Sequence, residues 1–274
     1  MLTELQARAA KLMAANRSEG SYFAGRVVLN EHWQRLSDDL DVFHDDEKAI
    51  DPLVRKDVRA LEDDGLDVFV DHDLWGSVEA RVRDGSRRET IVQWMGETRM
   101  RYFPLVADPL WGVRLHRSDL AVNKVIAAAS RMQARDVADM VLVSRHYCPL
   151  GPLFLAAAAK LGRTSPLELV NRARHRMSVT PNEEIEELRE ALDCENEGEI
   201  KASAFVGLDS AETFLLKLPE PMLGGLPVNA DGIPVDKVEG KASLRPVLDG
   251  GGRFPDFPES RPEFGGAGGL GDGP

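Results

Sequence analysis

Asp39 and Asp41 stand one residue apart in the segment Ser37-Asp38-Asp39-Leu40-Asp41-Val42-Phe43. On a strand, alternate residues share a face, so both carboxylates point to one side while Leu40 and Val42 enter a core. Two neighbouring carboxylates repel each other and lose hydration unless something positive sits between them. A hard divalent cation such as Mg²⁺ is the usual solution, and it commonly carries the phosphates of a nucleotide. The pair therefore reads as a metal–nucleotide site. A second Asp-x-Asp, Asp71-His72-Asp73, is also present, and taken alone either copy suits a solvated turn or strand edge. Context separates them. The first pair ends the amphipathic run from Leu29 to Phe43 and follows a glycine-bearing turn, Phe23-Ala24-Gly25-Arg26. Glycine there lets backbone N–H groups approach a phosphate closely, and nothing comparable precedes Asp71.

The elements that must position further charged groups follow in the chain. Residues 118–131 read as a helix, with Ser118 as N-cap, Asp119 in the first turn and alanines inside. Leu120, Val125, Ala128 and Met132 make its buried stripe, and Lys124 and Arg131, seven apart, share a face. A second helix begins near Arg135, with Val137, Met140 and Val141 apolar and Asp136 and Asp139 on its polar side. Such alternating charges suit a structural network or a catalytic one. Before these helices, Val78 to Arg83 and Glu89 to Trp94 form a hairpin around Asp84-Gly85-Ser86. Arg81, Arg83, Arg87, Arg88, Arg99 and Arg101 then make either a basic patch for nucleic acid or a charge-guarded edge.

Downstream, Leu153–Leu161 and Pro166–Met177 read as helices, the latter with Ser165 as N-cap and proline at its first position. A Glu-rich helix opens at Pro181-Asn182-Glu183 and runs to Leu192. From Pro219 prolines and glycines punctuate an acidic, extended tail whose last ten or so residues are expected to be disordered.

Composition sets the setting. With 43% hydrophobic residues in 274, the chain can bury a real core, organised as subdomains. No run of about 18 apolar residues and no secretory leader is evident, which excludes a membrane span and points to the cytoplasm. Cys148 and Cys194 are too few for a disulfide framework, and no Cys/His spacing suggests zinc. His44, beside Asp45 and Asp46, fits a solvated turn better than a metal ligand. Residues 1–176 are electrically neutral, and the whole formal charge of −12 falls in residues 177–274. A neutral catalytic part does not exclude a nucleic-acid substrate, which needs only a local basic patch.

Taken in order, Gly25, Arg35-Leu36-Ser37-Asp38-Asp39-Leu40-Asp41, Asp119-Leu120-Ala121-x-Asn123-Lys124, Arg131 and Arg135-Asp136-x-x-Asp139 resemble the signature of AbiEii/AbiGii-type nucleotidyltransferases. These are the toxins of type IV toxin–antitoxin, or abortive-infection, systems. The similarity covers roughly residues 20 to 145. It implies an α+β fold: a nucleotidyltransferase-like core over residues 1–145, a small mixed sheet packed on helices. A helical C-terminal subdomain, 146–218, and the Pro/Gly-rich acidic tail, 219–274, follow. It further implies that Asp39 and Asp41 bind Mg²⁺ (or Mn²⁺) and that Gly25, Arg26 and Ser37 belong to the nucleotide-binding surroundings. Lys124 would face the triphosphate, Asp136 would act near the centre, and Arg135 and Asp139 would hold two helices together. The NTP would be the substrate, a tRNA end or a protein side chain the acceptor, and a separate DNA-binding protein the cognate antitoxin. Two departures stand out. The family turn carries two glycines and a small residue where this chain has Ala24, Gly25 and Arg26, and Gln93 occupies the strand from which a third acid is expected. They leave two rival readings: a degenerate member that binds a nucleotide or partner without turnover, and an antibiotic-modifying nucleotidyltransferase acting on small molecules.

Overall fold

A computed structural model describes residues 2–29, 37, 39–162, 164–218, 224–237 and 243–248. Arg35, Leu36 and Asp38 of the signature, most of the run from Leu29 to Phe43, and the end of the tail lie outside these residues. The chain forms two units. Residues up to Arg99 together with Phe103–His116 make the first, and Met100–Tyr102 with the described residues from Arg117 onward make the second. The organisation is α+β, with the sheet in the first unit and a set of helices in the second.

In chain order the first unit comprises α1 (Glu4–Ala14), β1 (Ser21–Ala24), α2 (Gly25–Leu29), β2 (Asp39–His44), a 3₁₀ turn at Glu47–Ala49 and α3 (Ile50–Asp63). It continues with β3 (Asp67–Leu74), β4 (Ser77–Arg83), β5 (Glu89–Gly96), β6 (Val106–Asp108) and β7 (Gly112–Arg114). The seven strands join in the order β3-β4-β5-β2-β1-β7-β6. The sheet is mixed: β2 runs antiparallel to β1 and parallel to β5, which leaves β2 inside the sheet with a neighbour on each side. The hairpin read from the sequence is β4–β5, and β3 adds to its outer side.

Alternation along the strands sets the two faces. Leu40, Val42, Ala80, Val82, Val92 and Trp94 are buried, while Asp39, Asp41, Glu79, Arg81, Ile91 and Gln93 on the opposite face are half-buried. α1 and α3 pack on strands of this unit. α3 buries Ile50, Val54, Asp57 and Leu61, a stripe at helical spacing in which an aspartate occupies an apolar place. That carboxylate is fully paired. Arg17 Nη2 donates to both Asp57 oxygens at 2.7 and 2.5 Å, Trp94 Nε1 at 2.7 Å and Asn16 Nδ2 at 2.8 Å. Arg17 also lies 5.5 Å from the centre of the Phe23 ring.

His44 is buried at the end of β2, with no hydrogen-bond partner on either ring nitrogen. It is therefore not the solvated turn residue expected from Asp45 and Asp46. Burial, and then the charge of Arg17, hold its pKa down at about 4 from an ordinary 6.5. The unfolded chain consequently binds a proton between these values that the folded chain refuses. Stability should fall as pH drops from about 6.5 to 4, by at most about 3 kcal/mol, and the slope should vanish on either side of that window. Urea midpoints measured across pH should show this slope in the wild type and lose it in His44→Phe. An unchanged slope in the variant would refute the assignment.

The second unit holds α4 (Arg117–Ser130), α5 (Ala134–His146), α6 (Leu150–Leu161), α7 (Pro166–Val179), α8 (Asn182–Glu186), α9 (Arg189–Leu192), α10 (Glu197–Leu216) and a pair of short strands, β8 (Gly225–Val228) and β9 (Ser243–Pro246). Ser165 Oγ accepts from Glu168 N at 3.1 Å, so the expected cap of α7 is present. Ser118, by contrast, lies inside α4, and its hydroxyl meets the Tyr147 hydroxyl and the Gly232 carbonyl. Leu120, Val125 and Ala128 are buried as expected, but the chain leaves the helix before Met132, which is exposed. The Glu-rich helix expected up to Leu192 is broken into α8 and α9. α10 escapes the sequence reading because its apolar residues fall on all sides: Ile200, Ala204, Leu208 and Ala211 are buried, Val206 and Leu216 exposed. Part of the expected tail is also structural, since Leu226 and Val228 are buried where β8 pairs with β9. No helix among the described residues is long and apolar enough to cross a membrane.

Candidate active site

β1 passes straight into α2 at Gly25, and this junction faces the acidic strand. Ala24 pairs with Asp41 across the β1–β2 ladder. Gly25 has φ +77°, in the left-handed region that side chains disfavour, and a Cβ built on it would lie 1.7 Å from Asp41 Oδ2. Only glycine permits the backbone to make this turn with the Asp41 carboxylate against it. The loop expected at Phe23–Arg26 is thus a strand end running into the first turn of a short helix. Arg26, the departure from the family turn, is buried within that turn.

Asp39 is held from the other side. Ser37 Oγ bonds Asp39 Oδ1 at 2.5 Å, and the Ser37 carbonyl accepts from Gln6 Nε2 at 2.5 Å. Gln6 belongs to a capping box: Thr3 Oγ1 accepts from Gln6 N at 3.1 Å and Gln6 Oε1 from Thr3 N at 2.9 Å. The start of α1 is therefore tied to the acidic strand. Thr3-x-x-Gln6 is a legible capping pattern, but nothing in the sequence connects it to Ser37.

Across the sheet, Asp41 is in register with Gln93 of β5, and Gln93 with Glu79 of β4. Gln93 Nε2 donates to Glu79 Oε2 at 2.5 Å. An acid thus occurs in this row one strand beyond the place where the sequence reading sought one. The signal was the alternation of Ser77–Arg83, which puts Glu79 on the face of Asp41 once the strand order is known.

The competing pair lies elsewhere in the sheet. Asp71 and Asp73 are on the outermost strand, β3, and Asp71 accepts from Arg81 Nε and Nη2 at 2.7 and 2.8 Å. That pairing pulls the Asp71 carboxyl below its ordinary pKa, the hydrogen bond from Arg81 being the main cause. Asp71→Ala removes one surface ion pair, whose contribution solvent screening keeps small. It is expected to leave any nucleotidyl transfer within about twofold of wild type, and a larger loss in a transfer assay would reverse the choice between the pairs. The arginines of the hairpin are likewise engaged. Arg83 pairs with Glu89, and Arg88 with Asp84 and Glu4. Arg101 is buried and belongs to the second unit. Arg81, Arg83 and Arg88 thus belong to a charge-balanced surface.

In the second unit, one ion pair joins α4 to α5, and a second links α5 to the residue that follows α4. Lys124 Nζ lies 2.9 Å from Asp139 Oδ2, and Arg131 Nη2 3.2 Å from Asp136 Oδ1. Asp136 and Asp139 are buried, which corrects the expectation of a polar side. Arg135 Nε bonds Gln133 Oε1, and the Lys124–Asp139 pair joins the two helices. Burial pushes the Asp136 carboxyl above its ordinary pKa, against the pull of Arg131 and Lys124, and its Oδ2 has no hydrogen-bond partner.

The chain is similar in path to several solved structures. JHP933 from Helicobacter pylori matches at 15% identity over 79% of this chain and 96% of that one, with TM-score 0.48. A Helicobacter pylori protein provisionally assigned as a nucleotidyltransferase matches at 15% identity over 80% and 100% of the two chains, with TM-score 0.49. MenT4, a nucleotidyltransferase toxin from Mycobacterium tuberculosis, matches at 14% identity over 79% and 83%, with TM-score 0.44. No family model and no curated protein matches the chain.

Proposed function

We propose that the protein is a metal-dependent nucleotidyltransferase of the AbiEii toxin kind. It would move a nucleoside monophosphate from an NTP to an acceptor hydroxyl and release pyrophosphate. The observation that carries this reading is the placement of Asp39 and Asp41 on one face of an inside strand, with the Cβ-free Gly25 against Asp41. Two carboxylates with hard oxygen donors suit Mg²⁺, which is commonly held by one or two carboxylates, substrate phosphates and water. Among the described residues no third His, Cys, Asp or Glu converges with them into a metal-holding group. When bound, the cation would neutralise phosphate charge and orient the triphosphate.

The remaining roles belong to the chain. Asp39 and Asp41 would hold the cation that faces the phosphates, Asp39 fixed by the Ser37 hydroxyl. The Gly25 turn and Arg26 border the triphosphate. The acceptor oxygen forms its bond to the α-phosphorus as the α–β bridging bond breaks, and the acceptor proton leaves to a base. Asp136, whose pKa is raised by burial, suits that proton, and Lys124 suits the charge on the departing pyrophosphate. These last two assignments rest on the sequence resemblance. A tRNA end or a protein side chain would be the acceptor, and a separate antitoxin the natural restraint. Gln93 and the buried Arg26 favour a second reading, a degenerate member that holds a nucleotide without turnover.

The two separate when each of four α-³²P-labelled NTPs is supplied with Mg²⁺ to total bacterial RNA and protein. Label entering one fraction with wild type but not with Asp39→Ala establishes transfer and names the acceptor class. NTP binding without label in either fraction establishes the second reading.

A further inference from the structure

β3 ends the sheet, and among the described residues no strand pairs with its outer side. Natural edges are usually short, charged or covered, because a free row of N–H and C=O groups templates pairing with another chain. This one carries aspartates and a register shift between Val70 and His72, but it is eight residues long and also exposes apolar surface. Phe69 is 44% exposed, Val70 52%, Leu74 69% and Trp75, in the turn that follows, 82%. Such a cluster on a strand edge is a recognition surface by its physics.

Charge indicates what would cover it. Asp71 is balanced by Arg81, but among the described residues Asp63, Asp67 and Asp73 have no ion-pair partner. At the Trp75 end lies an open pocket of about 450 Å³ in which Asp46, Glu47 and Glu97 outnumber Lys48, while Asp45 faces Arg99. Trp75 forms part of its wall and donates from Nε1 to Glu47 Oε2 at 2.9 Å. An indole beside carboxylates suits an ammonium or guanidinium group. A second copy of this acidic edge would bring like charges together; a basic strand would not.

We propose that the β3 edge docks an extended segment of a partner protein in which basic residues alternate with apolar ones. The segment adds an eighth strand to the sheet. Its apolar side chains cover Phe69, Val70 and Leu74, and a lysine or arginine enters the acidic pocket beside Trp75. This is β-strand addition, in which the ladder supplies affinity and the side chains supply choice. It does not depend on the proposed transfer activity.

The test uses the full chain and labelled, end-blocked ten-residue peptides of alternating Lys and Val, with binding followed by fluorescence anisotropy. The Lys/Val peptide should bind, and a Glu/Val peptide should not. N-methylation of alternate amides, which removes ladder donors, should weaken binding by at least about tenfold. Leu74→Lys, at an exposed position, should do the same without lowering the melting temperature, while Asp39→Ala should bind as wild type does. Equal binding of the methylated peptide would reduce the effect to charge alone and overturn the proposal. So would absence of Lys/Val binding. A wild-type dimer in sedimentation that Leu74→Lys dissociates would assign the edge to a second copy instead.

Discussion

Asp39→Ala and Asp41→Ala should each lower nucleotidyl transfer by roughly 10²–10³-fold or more, in line with the loss of a group that acts on transition-state charge. Neither change removes core volume, because both side chains lie on the half-buried face while Leu40 and Val42 fill the interior. Melting temperature should therefore stay near that of wild type. Gly25→Ala should produce the same loss by a different route. Its methyl group would sit 1.7 Å from Asp41 Oδ2, so either the carboxylate or the turn must move. The left-handed φ of +77° adds a backbone cost of about 1–2 kcal/mol. Transfer and stability should both fall in Gly25→Ala, whereas only transfer falls in the aspartate variants. Single-turnover rates with the labelling NTP, set beside thermal melts, distinguish these patterns. A fully active Gly25→Ala would mean that Asp41 is not where the chemistry occurs.

Asp57→Ala should cost about 3–5 kcal/mol, the range for breaking one side of a buried ion pair. Arg17 and Asp57 are completely buried, and the carboxylate accepts from Arg17, Trp94 and Asn16 together. Alanine would leave a guanidinium charge in the interior and an indole N–H without its acceptor. A loss of that size is a large fraction of the stability of an ordinary domain. Pairing Asp57→Leu with Arg17→Met, which replaces both charges by apolar groups, should recover much of it. Urea unfolding of the single and double variants measures the difference. Equal destabilisation by both would show that packing rather than the stranded charge sets the cost.

Much of this arrangement was legible because it is local. The alternation around Leu40 and Val42 placed both aspartates on one face, and the hairpin from Val78 to Trp94 followed from two alternating runs around a turn. Ser165 before Pro166 marked the start of α7 in the same way. The misses have a common cause: each depends on strand order or on a partner distant in the chain. Glu79 enters the row of Asp41 only because β5 lies between β4 and β2. Gln6 supports Ser37 only because α1 returns to the sheet, and the charge that helps to lower the pKa of His44 comes from Arg17, far back in the chain. Ser118 has the composition of a cap, but its hydroxyl is drawn to Tyr147 and Gly232, far along the sequence. Asp136 and Asp139 read as polar-face residues because the ion pairs that accompany their burial, with Arg131 and Lys124, are not visible in the helical pattern of α5 alone.

The position of β2 bears on how the acidic pair comes into being. Its ladder with β1 joins residues close in sequence, but its ladder with β5 closes a long loop that contains α3 and the β3–β4 strands. Loop closure of that kind costs chain entropy and slows folding. During refolding, hairpin signals should therefore rise before Asp41 acquires its register with Gln93. A nascent or partly unfolded chain would hold native secondary structure while its two carboxylates still lacked a common frame. Competence for chemistry would arrive only with that long-range pairing, and would be lost when it opens.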